Sequence, residues 1–297
     1  MTTDTSGPQE DRRLRTYQEA VAIITGGASG IGRALAEELS RRGAEVVLAD
    51  RQIELAEEVA EGIREAGGMA TAAEVDVTDF AAMQSLVQNT LATLGRLDYF
   101  FNNAGIGIGG EVRHYEIEDW HQILDVNLHG VVHGIQAAYP IMIQQGYGHI
   151  VNTASMAGLM PAPWSVSYAA TKHAVVGLST SLRIEAAALG VRISVLCPGV
   201  IDTPILQSAG KYGKMLQPIA PEVQRAYWRR LRPMPADRFA YRTLNALARN
   251  QAIIVLPSWW RIIWWINRLS PSLGLHLSRR FYSAALKAML AEGDGYR

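Results

Sequence analysis

The chain has 297 residues, of which 48% are hydrophobic, and its 28 Lys and Arg residues balance 28 Asp and Glu residues. This length and composition exclude a disordered chain and favour one large domain with a substantial core. Because the charges are balanced and interspersed, the surface offers no broad attraction to nucleic acid, and we expect no nucleic-acid partner.

The beginning of the chain is polar and charged where a signal peptide would need an apolar segment, so residues 1–18 are predicted to be a flexible leader of a cytoplasmic protein. The only cysteine, Cys197, lies in an apolar run and is interpreted as a buried packing residue. One cysteine cannot form a metal cluster and the seven histidines lack metal-ligand spacing, so no metal site is expected.

Short apolar runs alternate with amphipathic segments of helical period between residues 21 and 256. The runs begin with VAIIT, AEVVLAD and ATAAEVDV, and the last of them is AIIVL. Strands that are apolar on both faces and separated by helices indicate a parallel sheet covered by helices on each side. We therefore predict an α/β fold, a doubly wound parallel sheet of about seven strands, in a domain that spans residues 19–256.

A region rich in proline and aromatic residues, 203–237, interrupts this alternation after a predicted strand. Its length and composition are typical of a mobile lid over a substrate site. Because binding energy is often supplied by such segments, we expect this lid to contact the substrate.

Residues 257–297 form an aromatic-rich C-terminal extension. It contains four tryptophans beside two arginines, namely Trp259, Trp260, Trp264, Trp265, Arg261 and Arg268. Charges and a proline interrupt it well short of the ~20 apolar residues that a membrane span requires. The composition fits either an interfacial helix on a membrane surface, or a segment that packs over its own pocket or across an oligomer interface.

A glycine-rich stretch, TGGASGIG at residues 25–32, follows the first predicted strand and precedes a predicted helix. Gly26, Gly30 and Gly32 permit a tight turn that brings backbone amides at a helix N-terminus close to a pyrophosphate. Asp50 ends the next predicted strand, 20 residues after Gly30, where a carboxylate would accept hydrogen bonds from an adenosine ribose. This arrangement predicts a dinucleotide site.

Asp50 also bears on the choice between NAD and NADP. A carboxylate about 4 Å from a 2′-phosphate would cost on the order of 4 kcal/mol per unit charge, which favours NAD. Arg51 keeps NADP open, because a guanidinium beside Asp50 could receive the phosphate or stack on adenine. Ser29 occupies the position before Gly30, so the loop itself supplies no basic anchor for that phosphate.

Tyr168 and Lys172, in SYAATKHA, are four residues apart on a predicted helix and share one face. A nearby ammonium would lower the tyrosine pKa toward the working pH, so Tyr168 is a candidate general acid or base for an alcohol and ketone pair. Lys172 could also bind the ribose of a nicotinamide cofactor. The alternative is a pair on an ordinary solvated helix face, where this spacing also occurs.

Five motifs in order resemble the short-chain dehydrogenase/reductase family over nearly the whole span from Val21 to about Leu256. They are TGGASGIG, NNAG at residues 102–105, VNTAS, YAATK and PGVIDTP. The resemblance implies a Rossmann fold that binds a nicotinamide dinucleotide and acts on alcohols or ketones. It also implies a homodimer or homotetramer.

The resemblance further implies a role for each matching residue. Tyr168 would give or take the proton, Ser155 would orient the substrate oxygen, and Lys172 would lower the tyrosine pKa. Asn127, in DVNLHG, would hold a water that links the lysine to solvent. The implied cofactor contacts are Gly26, Ser29, Gly30, Ile31, Gly32, Asp50, Arg51, Asp76, Val77, Asn103, Ala104, Gly105, Tyr168, Lys172, Pro198, Gly199, Ile201 and Thr203.

Six apolar residues near the last motifs are candidates for the substrate pocket: Met156, Leu159, Met160, Trp164, Ile205 and Leu206. No arginine there could clamp a carboxylate, which argues against small hydroxy acids and for bulky secondary alcohols or ketones such as steroids, terpenoids or aromatic carbinols. The same residues could instead be core packing. We expect an NAD-dependent dehydrogenase for such substrates, and the alternatives are an NADP-dependent ketoreductase and a noncatalytic dinucleotide sensor or scaffold.

Overall fold

A computed structural model of the chain describes residues 13–206, 212–217 and 221–291. Its strands are β1 (Val21–Thr25), β2 (Glu45–Asp50), β3 (Met69–Glu74), β4 (Tyr99–Asn102), β5 (Gly107–Gly109), β6 (Gly148–Thr153), β7 (Val191–Pro198), β8 (Ile201–Asp202), β9 (Gly213–Met215), β10 (Met234–Pro235) and β11 (Ile253–Leu256). Its α-helices are α1 (Gly30–Arg41), α2 (Ile53–Glu65), α3 (Phe80–Leu94), α4 (Ile117–Leu124), α5 (Gly130–Gln145), α6 (Val166–Ala187), α7 (Pro221–Arg230), α8 (Ala236–Ala248), α9 (Trp260–Leu269) and α10 (Pro271–Ala291).

Seven parallel strands form the central sheet in the order β11, β7, β6, β4, β1, β2, β3. Every residue of β1, β4 and β6 is buried, because helices cover both faces of the sheet. Cys197 lies in β7 and is fully buried. The predicted doubly wound sheet is confirmed, and its strand order reverses between β1 and β4, where such folds open a ligand crevice.

Two hydrophobic layers enclose the sheet. On one face, α1, α2 and α8 pack through Leu35, Val59 and Phe239. On the other face, α3, α5 and α6 pack through residues that include Met83 and Val175. The apolar side of each of these helices therefore faces the sheet, as the alternating pattern predicts.

Residues 13–18, which the sequence places in a flexible leader, pack against this domain. Tyr17 is 3% exposed, its ring lies 5.4 Å from the ring of Tyr99, and its hydroxyl donates to the Leu244 carbonyl. The Arg15 amide donates to the Asp98 carboxylate at 3.1 Å. The predicted boundary is corrected to before residue 13, because burying the Tyr17 ring fixes this segment; residues 1–12 lie outside the described part of the chain.

The predicted lid, 203–237, contains a short 3₁₀ turn at Pro204–Leu206, then β9, α7 and β10. β9 pairs with β5, and β10 pairs with β8, so these segments are tied to the loops that follow β4 and β7. Residues 207–211 and 218–220 of this prediction lie outside the described residues.

The C-terminal extension forms α9 and α10, which pack against each other. Trp260, at the start of α9, is buried and joins the same hydrophobic layer as α5 and α6. Among the described helices, none is both long enough and apolar enough to cross a membrane.

Candidate active site

A cavity of about 850 Å³ opens at the carboxyl ends of the central strands. The glycine-rich loop lines one end, Ser155 and Tyr168 lie at its middle, and α9 and α10 line the other end. Parallel sheets bind ligands at this edge because the loops after the strands converge there.

The glycine-rich loop forms a tight turn that Asn103 holds in place. Gly26 and Gly30 have left-handed φ values of 65° and 53°, and a Cβ at Gly32 would lie 2.0 Å from the Gly26 carbonyl oxygen. The Asn103 side-chain amide donates to the carbonyls of Thr25 and Gly26 at 3.1 and 3.3 Å. The loop thus presents the N-terminus of α1, whose first amides lack partners within the helix, to the cavity.

Asp50 lies at the end of β2 with its side chain 8% exposed. Its two carboxylate oxygens accept hydrogen bonds from the backbone amides of Ala28 and Gln52, at 3.1 and 3.0 Å. Arg51 is exposed and also lines this end of the cavity. The side-chain-free turn, the helix N-terminus and the carboxylate fit the pyrophosphate and ribose of a dinucleotide.

Most of the predicted cofactor residues line the same cavity. Gly32 is the exception, because it packs beneath the loop against the Gly26 carbonyl. Asp76 also accepts hydrogen bonds from the Thr78 amide and hydroxyl, which fixes its carboxylate at the cavity edge. The predicted residues that line the cavity are Gly26, Ser29, Gly30, Ile31, Asp50, Arg51, Asp76, Val77, Asn103, Ala104, Gly105, Tyr168, Lys172, Pro198, Gly199, Ile201 and Thr203.

Asn127 lies behind the cavity, in a π-helical segment at residues 125–129 between α4 and α5. Its side chain is fully buried and forms two hydrogen bonds with the backbone of Ile106, at 2.8 and 2.9 Å. Its Oδ1 would lie 3.2 Å from a Cβ at Gly105, and Lys172 Nζ would lie 3.6 Å from the same point. Asn127 and Lys172 therefore flank one backbone segment. The π-helical turn that directs Asn127 toward it was not predicted from the sequence.

Tyr168, Lys172 and Ser155 meet at the middle of the cavity. Lys172 Nζ lies 5.5 Å from the centre of the Tyr168 ring and donates to the Thr153 carbonyl at 2.9 Å. The Ser155 hydroxyl oxygen accepts the Ala157 amide at 3.1 Å, so its own proton remains to be donated.

Burial dominates the ionisation of this group. It raises the pKa of Tyr168, and a hydrogen bond with Ser155 opposes that rise. Burial lowers the pKa of Lys172 to about 8. The sequence predicts that Lys172 lowers the pKa of Tyr168. In the structure, the contact that lowers this pKa is the hydrogen bond with Ser155.

The cost of burying Lys172 predicts a pH-dependent stability difference between the wild type and Lys172→Met. The folded pKa of about 8 lies below the ordinary value of 10.5, so the unfolded chain binds this proton more tightly. Between these pH values the free energy of unfolding of the wild type should therefore rise relative to that of the variant, by about 3 kcal/mol in total. Urea unfolding at a series of pH values measures this difference. Free energies of unfolding that change in parallel with pH in the two proteins would contradict the prediction.

The substrate end of the cavity is apolar and aromatic. Of the six predicted residues, Met156, Met160, Trp164, Ile205 and Leu206 line it. Leu159 does not line it and packs against the hydrophobic layer, as Met160 and Leu206 also do. The sequence places the lid, with α7, at the substrate and allows the extension, with α9 and α10, to pack over the pocket, but it names no lining residues in these helices. They include Trp228, Trp260, Ile263, Leu277, Phe281 and Tyr282.

A hydrogen-bonded chain joins α10 to the loops around the reaction centre. Trp164 Nε1 donates to the Tyr282 hydroxyl at 3.0 Å, and that hydroxyl donates to Glu111 at 3.4 Å. The φ of Trp164 is 67°, an uncommon backbone conformation for a bulky residue, and its carbonyl accepts the Gly110 amide at 2.8 Å. These contacts fix α10 as a wall of the cavity.

The profile of the short chain dehydrogenase family matches residues 20–212. The chain is 38% identical to the cyclohexanol dehydrogenase of Acinetobacter sp. (strain SE19) over 191 residues, which are 64% of this chain and 76% of that protein. It is 39% identical to the 2,5-dichloro-2,5-cyclohexadiene-1,4-diol dehydrogenase LinX of Sphingobium indicum over 185 residues, 62% of this chain and 74% of that protein.

A similar solved structure is that of a short chain dehydrogenase/reductase from Burkholderia phymatum in complex with NAD. The two structures superpose with a TM-score of 0.78 and 33% sequence identity. The matched part is 88% of this chain and 96% of the Burkholderia chain. The matched residues 20–212 contain all five motifs, from the glycine-rich loop to the turn that begins at Pro198. The chain belongs to the short-chain dehydrogenase/reductase family of NAD(P)-binding oxidoreductases.

Proposed function

We propose that the protein is an NAD-dependent dehydrogenase of bulky, apolar secondary alcohols and their ketones. One observation carries this proposal: the wall that faces Tyr168 and Ser155 is built from aromatic and aliphatic side chains of the loop at residues 160–164 and of α9 and α10. An apolar enclosure with a few polar groups at one point favours a ligand that is apolar except at its reacting oxygen.

The cations that line the cavity support the exclusion of small hydroxy acids. Among the described residues they are Arg51, Lys172 and Lys214. Arg51 lies at the opposite end, Lys172 donates to the Thr153 carbonyl, and Lys214 forms a 2.8 Å ion pair with Asp119. A substrate carboxylate would therefore be desolvated at the apolar end without a free partner, which is costly. The two similar dehydrogenases named above carry the names of cyclic alcohols, which agrees with this class.

NAD, when bound, supplies the hydride acceptor for oxidation of the alcohol. The residues that would hold it are those of the glycine-rich loop and the N-terminus of α1, with Asp50 at the ribose. The carboxylate is buried and already fixed by two backbone amides, so a 2′-phosphate beside it would meet a negative charge that solvent screens only in part.

The proton is handled by the chain's own residues. The Tyr168 phenolate would take the proton from the alcohol oxygen in oxidation, and the Tyr168 hydroxyl would give a proton to the ketone oxygen in reduction. The Ser155 hydroxyl would donate to that same oxygen and hold it beside Tyr168. Lys172, protonated below a pH of about 8, would favour the phenolate, and Asn127 would anchor the route by which the proton reaches solvent.

The test is formation of reduced cofactor by the purified protein, with NAD and NADP in parallel, on apolar secondary alcohols that include cyclohexanol, aromatic carbinols and sterols. Lactate and malate are the controls. Turnover with NAD and an apolar alcohol is the expected result. Turnover only with NADP would indicate that Arg51 receives the 2′-phosphate at the ribose end, and it would establish the ketoreductase alternative. Cofactor binding without turnover on any alcohol or ketone would favour a dinucleotide sensor. The homodimer or homotetramer stays a prediction, which sedimentation of the same preparation tests.

A further inference from the structure

We propose that α9 and α10 form a docking surface for an anionic lipid bilayer. The surface is the outward side of this helix pair, which we call the outer face and define by Ile262, Trp265, Leu269, Leu273 and Leu275. This interaction goes beyond the proposed function, because it does not depend on which alcohol or cofactor the enzyme uses.

The helix pair is apolar on two sides. Trp260, Ile263 and Ile266 point toward the cavity. Ile262 and Trp265, which precede the two isoleucines by one residue each, are 66% and 47% exposed. Leu269 follows one turn later and is 78% exposed. A helix that only covered a pocket would be polar on its outer side, since nothing then requires apolar residues there. A contiguous exposed apolar patch marks an interaction site.

The charge of the helix pair identifies the partner. Residues 257–291 contain no Asp or Glu, although the whole chain is neutral. Arg261, Arg268, Arg279 and Arg280 are exposed, and none of them forms an ion pair with a described residue. On α1 and α2, by contrast, Arg33 pairs with Glu37 at 2.7 Å and Arg64 pairs with Glu57 at 2.6 Å, whereas residues 257–291 offer no carboxylate for such a pair. Tryptophan and arginine around an aliphatic face match the headgroup region of an anionic bilayer.

A second copy of the chain fits this face less well. A two-fold interface would set the arginines of one outer face against those of the other, with no acidic residue in this segment to neutralise them. An anionic bilayer avoids this repulsion because its headgroups neutralise the arginines, and it also accepts the apolar side chains.

The position of the cavity mouth agrees with this docking. Leu277 and Phe281 line the cavity and are also 45% and 51% exposed, so α10 reaches from the interior of the cavity to the surface. A bilayer against the outer face would lie beside this mouth. An apolar alcohol partitions into lipid, so docking would bring the opening to the phase that holds it.

The experiment is flotation of the full chain with vesicles of phosphatidylglycerol and phosphatidylcholine, and with vesicles of phosphatidylcholine alone. We expect the wild type to float with the anionic vesicles and to be released by salt. Two double variants should each lower the partition coefficient about tenfold. One combines Ile262→Ser with Trp265→Ser, and the other combines Arg261→Glu with Arg268→Glu. These four side chains lie outside the cavity lining, so turnover of a dissolved alcohol should not change.

The matched control is Ile184→Ser, because Ile184 on α6 is 79% exposed but lies outside the helix pair. Flotation of this variant should equal that of the wild type. Failure of the wild type to float, or equal flotation of all variants, overturns the docking surface and leaves the dehydrogenase proposal intact. Sedimentation of the same variants distinguishes the remaining case: a wild-type dimer that the outer-face variants dissociate would assign the face to a second copy and overturn the lipid proposal.

Discussion

Replacing Tyr168 by phenylalanine is expected to lower kcat by about 10³-fold while leaving NAD affinity within about twofold of the wild type. The change removes one hydroxyl, the group that would exchange a proton with the substrate oxygen. The ring that packs 5.5 Å from Lys172 Nζ remains, and so does the Lys172 hydrogen bond to Thr153. Cofactor titration by fluorescence and reduced-cofactor formation, measured on one preparation, separate binding from turnover.

Tyr139→Phe is the matched control for this variant. Tyr139 lies on α5, is only partly buried and does not line the cavity, so losing its hydroxyl should leave kcat unchanged. A Tyr168→Phe protein that keeps more than about a tenth of wild-type turnover would remove Tyr168 from the proton transfer. A loss of both turnover and NAD affinity would indicate instead that the hydroxyl holds the architecture of the site.

The sheet and the glycine-rich loop could be predicted because their signals are local. A strand such as β1 is apolar at every position and is followed at once by the loop, so the pattern indicates both the strand and the edge of the sheet that binds a ligand. The five motifs also lie on the elements where the resemblance puts them. The sites of Tyr168 and Ser155 follow from the same local patterns.

Other features depend on contacts between distant segments. The leader boundary was wrong because Tyr17 is buried against α8, whose Leu244 carbonyl accepts its hydroxyl 227 residues along the chain. The π-helical turn at Asn127 reflects bonding to Ile106, which is 21 residues away. Leu159 and Met160 pack against the same hydrophobic layer, but only Met160 also lines the cavity. Composition does not distinguish these two environments, because both bury apolar side chains.

The composition of the tryptophan-rich extension does not assign its contacts, whereas the geometry of α9 does. Its sequence allows both packing over the pocket and contact with a surface, and the two sides of α9 separate these roles between Trp260 and Trp265. The helical period sets Arg261 and Arg268 apart from the apolar residues of α9, but it could not assign which of those apolar residues face the cavity. The packing of α9 on β11 and on the turn at Gly199 decides which side faces the cavity.

Replacing Asp50 by asparagine is expected to reduce the preference for NAD over NADP, as the ratio of kcat/KM values, by about 10²-fold. A charge at about 4 Å from a 2′-phosphate is worth on the order of 4 kcal/mol, and each 1.4 kcal/mol is tenfold, so 10² allows for partial screening. Asparagine keeps one oxygen that can accept the Ala28 or Gln52 amide, so the glycine-rich loop should retain its conformation.

Asp76→Asn is the control for this charge removal, because Asp76 lines the same cavity and is exposed, with its carboxylate bonded to Thr78. Removing that charge should change kcat/KM for NAD and NADP by similar factors and leave their ratio in place. If the ratio shifts in Asp50→Asn alone, the buried carboxylate is the selecting charge. If it shifts in neither variant, the Asp50 charge does not set the ratio. Arg51 lines the same end of the cavity, and a guanidinium that receives the 2′-phosphate favours NADP, so Arg51→Ala should then raise the preference for NAD.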